Sequence, residues 1–118
     1  MTALIAGSDA SESFYEIRRY RAHPGRRDEL VQLMDDLILP FMVEHGVQVT
    51  ASFTDADDPN AYVWIRRFDN ESDRLARYEA VYEHLEWITV LGPKVLALMD
   101  DSAAVVTRAV PTSSSPLT

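Results

Sequence analysis

The chain contains no cysteine, which removes disulfide scaffolds, cysteine-based zinc sites, iron–sulfur clusters and thiol nucleophiles together. It is short of basic residues: 11 Lys and Arg stand against 19 Asp and Glu, a formal charge of −8. Nucleic-acid phosphates and anionic membranes require basic surface, so neither is an expected partner. No run approaches the roughly 18 apolar residues that a membrane span needs. Residues 1–7 hold no basic side chain and too short an apolar run for a secretory signal, so a cytoplasmic location is expected. There is no glycine-rich phosphate loop and no nucleophile elbow for Ser-His-Asp chemistry.

What remains is an ordinary globular composition: 118 residues, 47% hydrophobic and 25% charged, enough for one domain with its own core. Residues 1–13 read as a disordered leader of small side chains. Residues 111–118 (P-T-S-S-S-P-L-T) read as a disordered tail. The folded part is then 14–110.

Residues 14–22 (F-Y-E-I-R-R-Y-R-A) are rich in aromatic and β-branched side chains and end at His23-Pro24-Gly25, a strand followed by a turn. Residues 26–45 have helical spacing, with Leu30, Met34, Leu37, Ile38, Phe41 and Met42 on one wide face. Pro40 should kink or split this helix. Further strands are predicted over 47–54, 61–68 and 103–110. Asn70 can cap a helix whose apolar stripe is Leu75, Tyr78, Tyr82 and Leu85. Residues 86–92 are ambiguous, and Pro93 can open a short helix to Met99. The order is β-α-β-β-α-β, the ferredoxin-like arrangement: an α+β domain with a four-stranded antiparallel sheet and its helices on one face. The other face would be bare unless a second copy covered it, so a homodimer is expected.

Alternation along the strands assigns the faces. Aliphatic Ile17, Val63 and Ile65, with Tyr15, suit the helix-covered side. That assignment places Phe14, Glu16, Arg18, Tyr20, Tyr62, Trp64, Arg66 and Phe68 on the open side. Six cations (Arg18, Arg19, Arg21, Arg66, Arg67 and Arg108) fall on predicted strands, so an acidic chain concentrates its positive charge on the sheet. Paired arginines beside aromatic surface point to a pocket for a small anion. The competing role is structural, with the same arginines satisfying carboxylates across a dimer interface.

These residues resemble a known family. Y-E-I-R-R-Y-R-A-H-P-G-R-R-D-E-L at 15–30, L-P-F-M-V-E-H-G at 39–46 and Y-V-W-I-R-R-F-D at 62–69 are similar in order and spacing to NIPSNAP motifs, and Tyr82 and Trp87 match an aromatic pair after the second helix. The resemblance covers about residues 15–110. It implies a dimeric α+β barrel in which each half encloses a cavity beside its helices. Relatives of that fold include cofactor-independent monooxygenases, polyketide cyclases and lactone isomerases. No reaction follows from the fold.

Among the histidines, His23 sits in a turn and His45 at a helix end. His84 is the best placed for proton transfer. No metal-ligand spacing is present and no cofactor is expected. Asp55-Ala56-Asp57-Asp58 lacks the rest of a calcium loop and reads as a solvated turn. Asp100-Asp101 reads as a solvated helix end. The enzymatic expectation is a planar aromatic or polyketide-like anion stacked on Trp64 within a wall of Tyr20, Tyr62, Phe68, Tyr82 and Trp87. Arg18 and Arg66 would hold its enolate, phenolate or carboxylate, and Glu16 or His84 would move the proton. The alternative expectation is a non-catalytic homodimeric binding or interaction protein with a barrel filled by side chains.

Overall fold

Residues 12–118 are described by a computed structural model of the chain. The leader read over 1–13 lies outside them except for its last two residues.

Strands β1 (Phe14–Arg21), β2 (Gln48–Thr54), β3 (Ala61–Phe68) and β4 (Val105–Ala109) form one antiparallel sheet in the order β2-β3-β1-β4. The two central strands run in unbroken register from Phe14 opposite Phe68 to Arg21 opposite Ala61. Between β1 and β2 the chain forms α1 (Arg27–Leu33) and α2 (Leu39–Glu44), joined by a π-helical turn over Met34–Ile38. Pro40 accounts for that turn. In a regular α-helix its ring would strike the carbonyl four residues back and would leave that carbonyl without a donor. A wider turn just before the proline accommodates both defects without breaking the helix. The same device recurs ahead of Pro93: a π turn over Trp87–Leu91 runs into α4 (Gly92–Leu98). α3 (Glu71–Tyr82) lies between β3 and that turn, and the Asn70 side chain accepts from the Asp73 amide to cap it.

The helices cover one face of the sheet. Leu30, Met34, Ile38, Phe41 and Met42 from the first helical stretch, Val81 from α3 and Leu91 and Val95 from the last pack with Tyr20, Tyr62 and Trp64 of the sheet. Three residues assigned to apolar faces point outward instead: Leu37, Leu75 and Leu85 are exposed. For Leu37 the cause is the π turn, whose extra residue rotates it off the stripe. On α3 the buried face is Val81 with the tyrosines.

The face assignment is corrected as a block. Glu16, Trp64, Arg66, Tyr62 and Phe68 are buried beneath the helices and are not on the open side. Ile17, Val63 and Ile65, only partly buried, line the open face with Tyr15 and Arg19. Cross-strand register adds Ala51 and exposed Phe53 from β2 and exposed Val105 and Thr107 from β4. On the two central strands the aliphatic side chains Ile17, Val63 and Ile65 are therefore on the outer surface of the sheet, and Glu16, Tyr62, Trp64, Arg66 and Phe68 are inside.

Residues 111–118, read as a disordered tail, turn back along this outer surface. Tyr15 Oη donates to the Thr118 carbonyl oxygen at 3.2 Å, Arg67 Nε donates to the same oxygen at 2.6 Å, and Pro111 and Leu117 wall a recess over Tyr15, Ile17 and Ile65. The acidic 55–58 turn is paired as well as solvated: Arg19 reaches Asp55 at 2.9 Å and Arg21 reaches Asp58 at 2.7 Å. Arg27 Nη1 also donates to the carbonyls of Asp55 and Asp58.

Candidate functional site

Three residues of β1 and β3 set up an ionic cluster under the helices. Register places Glu16 directly opposite Arg66, and on its other side opposite Arg108. Arg108 turns away, to Glu71 and over the Phe14 ring. Arg66 Nε donates to Glu16 Oε1 at 2.8 Å, and Arg18 Nη1 donates to the same oxygen at 3.1 Å. The second carboxylate oxygen accepts from Tyr78 Oη at 2.5 Å. Glu16 is 5% exposed and Arg66 1%, so the pair is removed from water and must be satisfied internally. Arg66 lies near the rings of Trp64, Phe68, Tyr78 and Tyr82, with its carbon 5.0–5.6 Å from each centroid.

Burial alone would raise the Glu16 carboxyl, but Arg66, the Tyr78 hydroxyl and Arg18 outweigh it and hold the group below the usual carboxylate range. A carboxylate that accepts from two guanidinium groups and a phenol is a fixed counter-ion. It is a poor proton carrier near neutral pH, where a group titrating close to the working pH serves best. Burial also opposes the charge on Arg18 and Arg66, and the surrounding tyrosine oxygens, with Glu16 at Arg66, reverse the effect and keep both cationic. With Glu16 ionised, the three groups carry a net charge of +1 inside an acidic protein.

Beside this cluster a cavity of about 270 Å³ lies between sheet and helices. Arg18, Tyr20 and Trp64 form its sheet wall, and Tyr82, Trp87 and Met99 are part of its helical wall. Exposed Leu96 and Asp101 mark where it opens to solvent. Trp87 packs edge-on to Tyr82 with centroids 5.1 Å apart, and Tyr20 packs edge-on to Trp64 at 6.3 Å. Gly92 lets the Trp87 wall close: a Cβ there would lie 3.0 Å from both Trp87 Nε1 and the Trp87 carbonyl oxygen.

Of the expected site residues, the fold brings Arg18, Tyr20, Trp64, Tyr82 and Trp87 to the cavity. Glu16 and Arg66 stand behind it and touch its wall through Arg18 and through Tyr82, whose hydroxyl accepts from Arg66 Nη1 at 2.9 Å. Tyr62 and Phe68 are core side chains away from it. His84 is exposed to solvent and packs edge-on to His45 and Phe41, and its Nδ1 accepts from the Glu86 amide. His45 Nδ1 bonds the Phe41 carbonyl oxygen at 2.8 Å, as a helix-end role implies. Tyr78 is the residue that reading the sequence assigned to packing alone. Its signal was its position four residues before Tyr82 on one helix face. Among the described residues no group of three or more His, Asp or Glu side chains converges to hold a metal.

Comparison with known proteins places this architecture. A NIPSNAP family protein of Agrobacterium tumefaciens shares 20% identity, with 91% of this chain and 92% of that chain covered and a TM-score of 0.80. A second one from that organism, of unknown function, shares 26% identity over 92% of this chain and 96% of that chain, with a TM-score of 0.81. SnoaB, a cofactor-independent oxygenase from Streptomyces nogalater, has the same fold at 13% identity, over 89% of this chain and 98% of that chain, with a TM-score of 0.66. No curated protein matches the chain. The NIPSNAP family model matches residues 15–114, nearly the whole described domain, and the chain belongs to the NIPSNAP family.

Proposed function

We propose that this protein is a homodimeric small-molecule-binding α+β barrel whose cavity takes a planar aromatic or polyketide-like anion. The observation that carries this reading is the cavity itself: an open space with the Arg18 guanidinium in its inner wall, flanked by Trp64, Tyr20, Tyr82 and Trp87. A barrel packed solid with side chains would have favoured a purely structural role; here space remains beside a cation. Cyclisation, isomerisation and cofactor-free oxygenation share an enolate or phenolate intermediate, and a fixed cation in a water-poor site stabilises that charge. SnoaB, a cofactor-independent oxygenase, shares the fold, so the last of these chemistries is compatible with it at the level of fold. The partner copy would sit on the outer sheet surface, where Phe53 and Val105 are 54% exposed beside Val63 and Thr107.

Calorimetric titration with 2-naphthoate and its neutral isostere 2-naphthamide tests the ligand reading. The acid should bind and the amide should bind at least tenfold more weakly. Arg18→Met should abolish the difference, because a bond to a charged group contributes about 1.5–3 kcal/mol. Equal binding of acid and amide, or binding of neither, would overturn it.

A further inference from the structure

Apart from Asp101, the polar side chains that line the cavity among the described residues, Arg18, Tyr20, Trp64 and Tyr82, can each donate a hydrogen bond. Arg18 spends Nε on the Tyr20 hydroxyl oxygen at 3.0 Å and Nη1 on Glu16 and Tyr78, and its Nη2 amino group is unengaged among the described residues. Trp64, 1% exposed, lines the cavity, and its Nε1–H has no partner among the described residues. An indole nitrogen can only donate.

The two wall tyrosines are constrained by their arginines. A phenol can donate or accept, but each of these already accepts from a guanidinium: Tyr20 from Arg18 Nε and Tyr82 from Arg66 Nη1. The hydroxyl hydrogen is repelled by the approaching N–H and turns to the other side of the oxygen. Neither hydroxyl donates to any group among the described residues, and both residues line the cavity. A phenol bonded to a cation is also a stronger donor than a free one. Among the described residues the one carboxylate in the lining is Asp101, at the mouth.

We infer that the inner wall is an oxyanion site of four donors (Arg18 Nη2, Trp64 Nε1, and the Tyr20 and Tyr82 hydroxyls) that selects a ligand in its deprotonated form, with the tyrosines acting as donors and not as bases. This rests on the small-molecule reading above and deepens it. The ligand's buried end carries acceptors only, an enolate, phenolate or carboxylate oxygen. Its outer end carries no second negative charge, because that end meets Asp101.

The probe is 4-nitrophenol, whose visible absorption reports its own ionisation. At a pH where it is mostly neutral in water, the bound molecule should show the phenolate band, and its proton should pass to the buffer through the mouth. Calorimetry in buffers of different ionisation enthalpy would register that release. Tyr82→Phe and Tyr20→Phe should each lower the ratio of bound phenolate to bound phenol by about tenfold, as loss of one bond to an anion implies. Circular dichroism confirms that each variant folds, and either variant alone suffices for the test. Binding of 4-nitrophenol as the neutral phenol, or a phenolate ratio unchanged in both variants, would overturn the inference while leaving the pocket intact. Binding of neither 4-nitrophenol nor 2-naphthoate would overturn the inference and the ligand reading together.

Discussion

Glu16→Gln should weaken the fold and tighten the site at once. The substitution keeps the side chain's shape but removes the charge that balances two guanidinium groups. The cluster passes from +1 to +2, with Arg66 1% exposed and unable to recover its hydration. Removing one member of a buried ion pair costs about 3–5 kcal/mol, against about 0–1 for an exposed pair. For a domain of this size each kcal/mol lowers Tm by about 4–8 °C, so the melting point should fall by roughly 12 °C or more. Anion affinity should move the other way, because the carboxylate no longer competes for Arg18. The pH dependence has a fixed sign. The folded carboxyl lies below its ordinary value of 4.5, so its stabilising contribution is complete above that value and is lost as pH falls through the folded one. Glu16→Gln should therefore flatten the acid limb of the stability curve. Urea denaturation between neutral and acidic pH, with a naphthoate titration on the same variant, reads all three effects. A stability loss under about 1 kcal/mol, or unchanged acid sensitivity, would refute the claim that this pair is buried and mutually dependent.

Two further outcomes follow from packing. Gly92→Ala should displace the Trp87 ring and carbonyl and cost about 1–3 kcal/mol, with a shift in tryptophan emission and weaker ligand binding; an unchanged spectrum would show that the wall has slack. With the second copy placed as proposed on the outer sheet surface, the protein should sediment as a dimer and Ile65→Asp as a monomer with the fold intact; a dimeric variant, or a monomeric parent protein, would overturn that placement.

The sequence made the architecture readable because its signals were local. Ala61–Phe68 is bounded by the 55–60 loop and the Asn70 cap, and both the strand and the helix begin where those signals place them. The residues that line the cavity were readable in part and not by face: Arg18, Tyr20, Trp64, Tyr82 and Trp87 reach it, whereas Tyr62, Phe68 and His84 do not. Taking aliphatic residues as inward is a sound default, but Ile17, Val63 and Ile65 break it and line the outer face of the sheet. The inner layer instead buries Glu16, Arg18 and Arg66 among aromatic rings, and an alternating charged pattern looks like solvent exposure until the partners are known. Those partners lie far apart in sequence: Arg66 is 50 residues from Glu16, and Tyr78 is 62. His84 was placed wrongly for a related reason. The π turn at 87–91 brings Trp87 to the cavity, and His84 is left on the surface beside His45. Neither the length of that turn nor the rotation it imposes is encoded in simple periodicity.

In the proposed complex Arg18 and Trp64 receive the charged oxygen of a planar ligand inside the cavity. A crystal structure of the protein with 2-naphthoate tests it most directly. The carboxylate should lie within hydrogen-bonding distance of Arg18 and Trp64 Nε1, with the ring between Tyr82 and the sheet. A carboxylate at the mouth near Asp101, or naphthoate bound only on the outer face of the sheet, would contradict it.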